Sequence, residues 1–296
     1  MHEFLEKELT KPNRPLEGLS IKKVDCLANN STHQAWYLKV DNGTDFFAKT
    51  TRLKHSKRLV FEFEGLKALR KFSDSSLLIV PTTFLLEDIN NYSILLLPWI
   101  ESHKGSQVKL AKGLAKLHKY SQEENTGKFG WDTDGFIGIG YQEKGWGEDW
   151  GGFFFNKRLT SQINLSKNWG LDIDKESDFK QMVIDFLNIN NPEPSLVHGD
   201  FWNGNFIISE NNKGAIFDPA AYWGHSEVDI AMSKLFGGFS KDFYEEYHKL
   251  IPTTSESDIR TKIYNLYHIL NHANIFGGTY KVQSIEYIKD IQKDLK

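Results

Sequence analysis

The segment His198-Gly199-Asp200-Phe201-Trp202-Asn203-Gly204-Asn205, followed by Phe206-Ile207-Ile208 and then by Ile216-Phe217-Asp218-Pro219, decides how the chain is read. Asn205 stands five positions after Asp200, and a short hairpin leads from it to a second acid, Asp218. A phosphoryl-transfer loop uses this spacing. Asp200 would accept the proton of an acceptor hydroxyl, while Asn205 and Asp218, brought together by the hairpin, would hold Mg²⁺ on nucleotide phosphates. An oxygen-only ligand set suits such a hard cation. A His-x-Asp tripeptide alone is as readily a hydrogen-bonded turn, and it is the offsets of Asn205 and Asp218 that tip the reading toward catalysis.

Working toward the N-terminus, Lys49 ends the apolar run Phe46-Phe47-Ala48, which suits a cation aimed at the α- and β-phosphates. A carboxylate should hold it from the next helix. Glu62 lies four residues before Leu66 and Glu64 only two, so they project on opposite sides, and Glu62 is preferred. On these residues alone, two solvated helix charges and a strand-capping lysine remain the alternative. Around them, 21–27, 35–40 and 45–50 read as strands, with Asp41-Asn42-Gly43 as a hairpin turn. Residues 2–9 read as a short helix and 56–71 as a longer one. Extended runs at 82–86 and 92–99, joined by polar residues 87–91, complete five strands.

Beyond residue 106 the alternation gives way to helical periodicity, at 106–119, 153–167, 177–187, 227–235, 241–250 and 256–274. Residues 127–152, rich in Gly and Trp, show little periodicity and read as an irregular segment. The pattern predicts an α+β bilobal fold. Residues 1–100 form a β-rich nucleotide-binding lobe ending in the interlobe connection, and 101–296 a larger, mainly helical lobe for catalysis and acceptor binding.

The whole chain has 296 residues, 40% hydrophobic and 25% charged, with a net charge of −3, which gives no electrostatic reason to expect nucleic acid as a partner. Its single cysteine, Cys26, excludes an internal disulfide, and the opening MHEFLEKELTK is too charged for a signal peptide. No apolar run approaches the roughly 18 residues of a membrane span, so a cytoplasmic protein without membrane attachment is expected.

The run 198–205, the block from Phe217 through Asp229 to Met232, Leu235-Phe236-Gly237-Gly238-Phe239, Asn271-His272 and Phe276-Gly277-Gly278 closely resemble the fructosamine (ketosamine-3-) kinase family. Gln142, Trp150, Arg158, Lys49 and Glu62 extend the match over nearly the whole chain. The resemblance implies a protein-kinase-like fold of the aminoglycoside phosphotransferase type. It also implies ATP and Mg²⁺, and phosphorylation of the 3-hydroxyl of ketosamines, the fructosamine, ribulosamine or erythrulosamine adducts of amines, in protein deglycation or repair. Glycated proteins become possible substrates, and Asp229 would anchor the catalytic loop through backbone hydrogen bonds.

Three departures from the family pattern matter. Asn29-Asn30-Ser31-Thr32 stands where the nucleotide-covering loop usually has a glycine pair and a small or sulfur residue, predicting a stiffer turn in which Asn supplies positive φ. Ser31 replaces a family cysteine associated with redox control, and Cys26, in the first strand, is expected to be buried. In Leu96-Leu97-Pro98-Trp99, Pro98 replaces an acidic residue, leaving adenine to backbone groups of neighbours such as Leu97 and Trp99. Trp202, Tyr222 and Trp223 could face a sugar or fill the core, and His225 could meet substrate, sense pH or make a local hydrogen bond.

Other readings stay open on the sequence. They are a kinase of the same fold acting on choline, an aminoglycoside or homoserine, a metal-dependent hydrolase using His198, Asp200, Asp218 and His225, and a non-catalytic nucleotide-binding pseudokinase. A monomer or weak dimer is expected. No G-x-x-x-x-G-K-[ST] run is present.

Overall fold

The computed structural model describes residues 1–173, 177–189 and 191–296. Helix α1 (His2–Leu9) precedes β1 (Ile21–Asn29), β2 (Gln34–Val40) and β3 (Phe46–Arg52). Helix α2 (Ser56–Phe72), the two-residue β4 (Leu78–Ile79), β5 (Leu85–Ile89) and β6 (Tyr92–Pro98) follow. Strands β1, β2, β3, β6 and β5 form, in that order, one antiparallel sheet. The unbroken apolar run of β6 has a simple cause: the strand is covered on both faces. Leu95 and Leu97 pack with Leu59, Leu66 and Leu69 of α2, whereas Ile94 and Leu96 pack with Leu5 and Leu9 of α1.

The fifth strand is displaced from its expected place at 82–86. Glu87 and Asp88 belong to the ladder, opposite Ile94 and Ser93, and the turn falls at Asn90, with φ 53°. An edge strand can carry charged side chains on its outer face, so polarity marked the turn too early.

The second lobe begins with α3 (Val108–Glu124). The Gly- and Trp-rich segment is not irregular: it folds into β7 (Phe129–Trp131), β8 (Gly135–Ile137), β9 (Gly140–Gln142) and β10 (Gly145–Gly147). Strands β7 and β10 pair, and β8 and β9 form a hairpin with its tip at Gly138-Ile139. Three-residue strands are too short to show alternation. Their glycines permit close approach, since a Cβ at Gly130 would lie 2.1 Å from the Gly145 carbonyl oxygen.

Helices α4 (Trp150–Phe154) and α5 (Thr160–Ser166) are joined by a π-turn at Phe155–Leu159, and α6 (Ser177–Asn188) follows. Strands β11 (Ser195–Val197), β12 (Phe206–Ile208), β13 (Gly214–Ile216) and β14 (Tyr222–Gly224) build the catalytic region. Strand β13 also pairs in parallel with β4, tying the chain that follows α2 to this lobe. Helices α7 (Glu227–Leu235), α8 (Lys241–His248), α9 (Ser257–Phe276) and α10 (Thr279–Asp294) close the fold. Helix α10 was not anticipated: Ser284, Ile288 and Ile291 are its buried residues, a stripe too sparse to announce itself in sequence. Gly277 and Gly278, with φ 67° and 58°, make the reversal from α9. Among the described residues no helix is long and apolar enough to cross a membrane.

Candidate active site

The loop after β11 is held from below. Asp229, fully buried in the first turn of α7, accepts hydrogen bonds from the backbone N–H of His198 at 2.7 Å and of Gly199 at 2.8 Å. The His118 ring lies 3.1 Å away through Nε2 and meets the Tyr247 hydroxyl at 2.8 Å through Nδ1. Burial opposes the Asp229 charge, but His118 and the donated N–H groups outweigh it and hold the carboxyl below its usual range. Gly199, at φ 79°, is required: a Cβ there would lie 2.2 Å from the Ala220 carbonyl oxygen. His198 Nδ1 accepts from the Asp200 N–H at 3.3 Å, and Nε2 therefore donates to the Phe217 carbonyl at 2.9 Å. Both nitrogens of this neutral, buried imidazole are committed to backbone.

Asp200 and Asn205 face each other. Asn205 Nδ2 donates to the Asp200 carboxylate at 3.0 Å and to its backbone carbonyl at 2.8 Å, which fixes the amide orientation and leaves Asn205 Oδ1 for another partner. The Asn205 carbonyl accepts the Phe217 N–H at 3.1 Å, and the β12–β13 hairpin thereby delivers Asp218. Asp218 adopts φ 56°, a left-handed conformation uncommon for a non-glycine residue. Lys49 Nζ reaches both Glu62 oxygens, at 2.9 and 2.8 Å, and also Asp218 Oδ1. Glu64 turns aside toward Thr133.

Two carboxylates share one ammonium. Burial opposes the Lys49 charge, but Asp218 and Glu62 outweigh it and hold the lysine well above its ordinary value. Asp218 keeps its charge, held down by Lys49 against burial, while burial pushes Glu62 upward, with Lys49 pulling it back and the adjacent Asp218 adding to the rise. Burial also pushes Asp200 up to about 7, with the Asn205 hydrogen bond pulling the other way. The oxygens left over, Asn205 Oδ1 and Asp218 Oδ2, are hard donors at one corner, which fits Mg²⁺.

Three cavities meet at this corner. The first, about 350 Å³, lies between the lobes and has largely apolar walls that include Leu27, Ala35, Phe47, Leu97 and Trp99, with Lys49 and Asp218 at its end. The second, about 250 Å³, holds Lys49, Glu62, Asp200, Asn205 and Asp218. The third, about 650 Å³, runs outward from Asp200 between Trp202, Phe236, His272, Phe276 and Tyr280. His33 borders all three. Its backbone N–H and that of Thr32 donate to Asn30 Oδ1 at 2.9 and 3.0 Å. Asn30 Nδ2 must then donate to His33 Nε2, 3.2 Å away, leaving the imidazole proton on Nδ1. Burial likewise holds the His33 pKa below its ordinary value.

A family model described as fructosamine kinase matches residues 7–294. The chain belongs to the fructosamine kinase family. It is 36% identical over 252 residues to a probable ketoamine kinase of Vibrio parahaemolyticus, spanning 84% of this chain and 85% of that one. To a chloroplastic protein-ribulosamine 3-kinase of Arabidopsis thaliana it is 31% identical, over 95% of this chain and 86% of the relative. Its fold matches the crystal structure of a putative fructosamine-3-kinase of Haemophilus somnus with a TM-score of 0.80 at 29% identity, covering 92% and 91% of the two chains. The aminoglycoside phosphotransferase APH(4)-Ia shares the fold with a TM-score of 0.60 at 14% identity, covering 92% of this chain and 95% of that one.

Within this fructosamine kinase fold, Lys49, Glu62, Asp200, Asn205 and Asp218 converge, and Leu97 and Trp99 border the first cavity. The Trp99 N–H is already donated to Asp45 at 3.0 Å, so that donor is committed within the sheet lobe. Asn30 and Ser31 line the third cavity rather than the first, Asn29 lines none of the three, and none of these residues takes a positive φ. Backbone hydrogen bonds accepted by the Asn30 side chain, not left-handed backbone, close the turn.

Trp202 stands beside Asp200 in the second and third cavities, edge-on to Phe236 at 6.0 Å. Trp223 is a packing residue: it lies across from Leu196 in the β11–β14 ladder and edge-on to Phe72 at 5.8 Å, bordering none of the three cavities. His225 is held by the Tyr264 hydroxyl at 2.9 Å, and burial pushes it down to about 4, so it stays neutral near pH 7 and also lies outside the cavities. With His198 committed to backbone as well, the four-ligand hydrolase reading fails. Among the described residues no group of three or more His, Cys, Asp and Glu could hold a metal ion.

Cys26 is exposed, not buried: β1 is an edge strand in which Val24 alone is buried. Sequence reasoning missed His33 and Arg58 as residues of the site. Position within a turn or a helix carries no trace of the cavity a side chain borders.

Proposed function

We propose that this chain transfers the γ-phosphoryl group of ATP, with Mg²⁺, to the 3-hydroxyl of ketosamines, both small-molecule adducts and exposed glycated lysines of proteins. The observation carrying the reading is the placement of Asp200. It sits where the Lys49, Glu62 and Asp218 corner opens into a roomy cavity walled by aromatic rings. Ring faces suit the C–H side of a sugar and the positively charged amine beside it. Names of relatives support the acceptor class: ketoamine kinases and a protein-ribulosamine 3-kinase.

In this reading Asp200 takes the hydroxyl proton as oxygen attacks phosphorus, and Asn205 keeps the carboxylate oriented. Lys49, held by Glu62, steadies the α- and β-phosphates. Asn205 and Asp218 would hold Mg²⁺, which when bound offsets the charge of the phosphate oxygens. Leu97 and Trp99 flank the adenine, with residues 1–100 as the nucleotide lobe and 101–296 as the acceptor lobe. The protein acts in the cytoplasm as a monomer or weak dimer.

The test is ATP consumption across fructose-, ribulose- and erythrulose-linked lysines beside choline and aminoglycosides. Turnover with ketosamines is expected, and phosphorus-carbon coupling in the product should place the phosphate on the oxygen of carbon 3. Phosphate on an aminoglycoside hydroxyl, with ketosamines untouched, would overturn the reading.

A further inference from the structure

The β8–β9 hairpin walls the third cavity through Ile137, Gly138 and Ile139. One side of it is seated on α9. A Cβ at Gly140 would lie 2.1 Å from Asn271 Oδ1, and Gln142 Nε2 donates to the Tyr267 hydroxyl at 3.0 Å. Its other side is gripped from the sheet lobe. Arg58, in the first turn of α2, donates to the Gly138 carbonyl at 2.6 Å and to the Ile139 carbonyl at 3.2 Å. The guanidinium also lies 4.2 Å from the centroid of the Phe136 ring, and Phe61 of α2 meets the same ring edge-on.

Arg58 and Glu62 are four residues apart on one helix, so they lie on the same face. Glu62 holds Lys49 at the phosphate corner, and Arg58 holds the wall of the acceptor cavity. Any displacement of α2 that accompanies the filling of the nucleotide site must therefore be carried to the hairpin tip, because a helix moves as a rigid element.

We propose that Arg58 is a positioning residue that couples nucleotide binding to the acceptor wall. Through Arg58, α2 presses the β8–β9 tip into the position that aligns the acceptor hydroxyl with Asp200 once nucleotide is bound. The inference rests on the reading of the third cavity as the ketosamine site.

The experiment compares the parent with Arg58→Ala and Arg58→Lys in two measurements. Hydrogen exchange of residues 135–142 is followed with and without an unreactive ATP analogue, and KM is measured separately for ATP and for a ketosamine. In the parent, the analogue should slow exchange in the hairpin. Arg58→Ala should lose that response and raise the ketosamine KM about tenfold, within the usual range of coupling between sites, with analogue affinity and ATP KM changed by less than about twofold. Arg58→Lys, which retains one donor group, should fall between.

Arg58 also borders the second cavity, so a direct phosphate contact is the competing role. Loss of analogue affinity in step with the ketosamine KM would establish that role and overturn the coupling. An Arg58→Ala hairpin that still responds to the analogue like the parent would overturn it too. If the parent ignores ketosamines while Arg58→Ala still abolishes the exchange response, the coupling stands and the acceptor assignment falls.

Discussion

Asp200→Asn should separate what this residue does for the reaction from what it costs the fold. The amide fills the same space and can still face Asn205, but it cannot take up a proton. Loss of a general base lowers turnover by roughly 10²–10⁴-fold. Nucleotide affinity should be nearly unchanged, since Lys49, Glu62 and Asp218 make their contacts without Asp200. Because the Asp200 pKa lies near 7, kcat/KM of the parent should fall about tenfold per unit as pH drops below that value. The variant should lack this limb.

Stability moves the opposite way. A carboxyl raised from its ordinary value of 3.8 to about 7 binds its proton more tightly in the folded protein than in the unfolded chain. Its stabilising contribution is full below the unfolded value and lost as pH rises through about 7. The full shift corresponds to about 4 kcal/mol. Asp200 is only half-buried and opens on a cavity that water enters, so a cost of about 1–2 kcal/mol is the better expectation. Asp200→Asn should therefore raise Tm by roughly 2–3 °C at pH 8 and by little at about pH 3, below the unfolded value. Turnover, nucleotide binding and thermal melts on one preparation test all of this. Near-parent turnover, or an unchanged acid limb in the variant, would refute the assignment of Asp200 as base.

Asp218→Asn and Asn205→Ala should each raise the Mg²⁺ concentration needed for half-maximal rate, as seen in a metal titration at saturating ATP; the same requirement in both variants as in the parent would remove them as ligands. Lys49→Met should raise the KM for ATP by tenfold or more with a smaller change in metal requirement, and unaltered ATP kinetics would refute its phosphate role. Asp229→Ala should lower unfolding free energy by about 3–5 kcal/mol in denaturant titrations, because it leaves two buried N–H groups and His118 without their acceptor.

Much of the site was legible because its chemistry is carried by fixed offsets. Asp200, Asn205 and Asp218 sit on one loop and one hairpin, so their spacing encodes their meeting. Glu62 could be chosen over Glu64 because helical periodicity decides which of two neighbouring acids faces inward. Strands β2, β3 and β6 announced themselves through runs of strand-favouring residues bounded by turns.

What stayed hidden depends on neighbours distant in sequence. Trp223 and His225 flank the acidic motif yet turn toward Phe72 and Tyr264, and no local pattern distinguishes them from Trp202. Cys26 was misplaced because β1 is an edge strand that buries only Val24, and edge position depends on which strands pair rather than on the run itself. Strands β7 to β10 are held by pairing and glycine contacts, whose partners lie across a turn rather than along the run. The hairpin that Arg58 grips was, for the same reason, read as irregular.

The two borders of the large sheet bear on how the protein behaves in crowded solution. Strand β1 carries Lys22, Lys23 and Asp25 and slips register twice along its length, while β5 at the opposite border sets Glu87 and Asp88 in its ladder. Charged, kinked borders make poor templates for a further chain. Fibrillar growth through this sheet is accordingly disfavoured even at high concentration. Replacing Lys23 and Asp25 with Val should shorten the lag before thioflavin fluorescence rises on prolonged incubation.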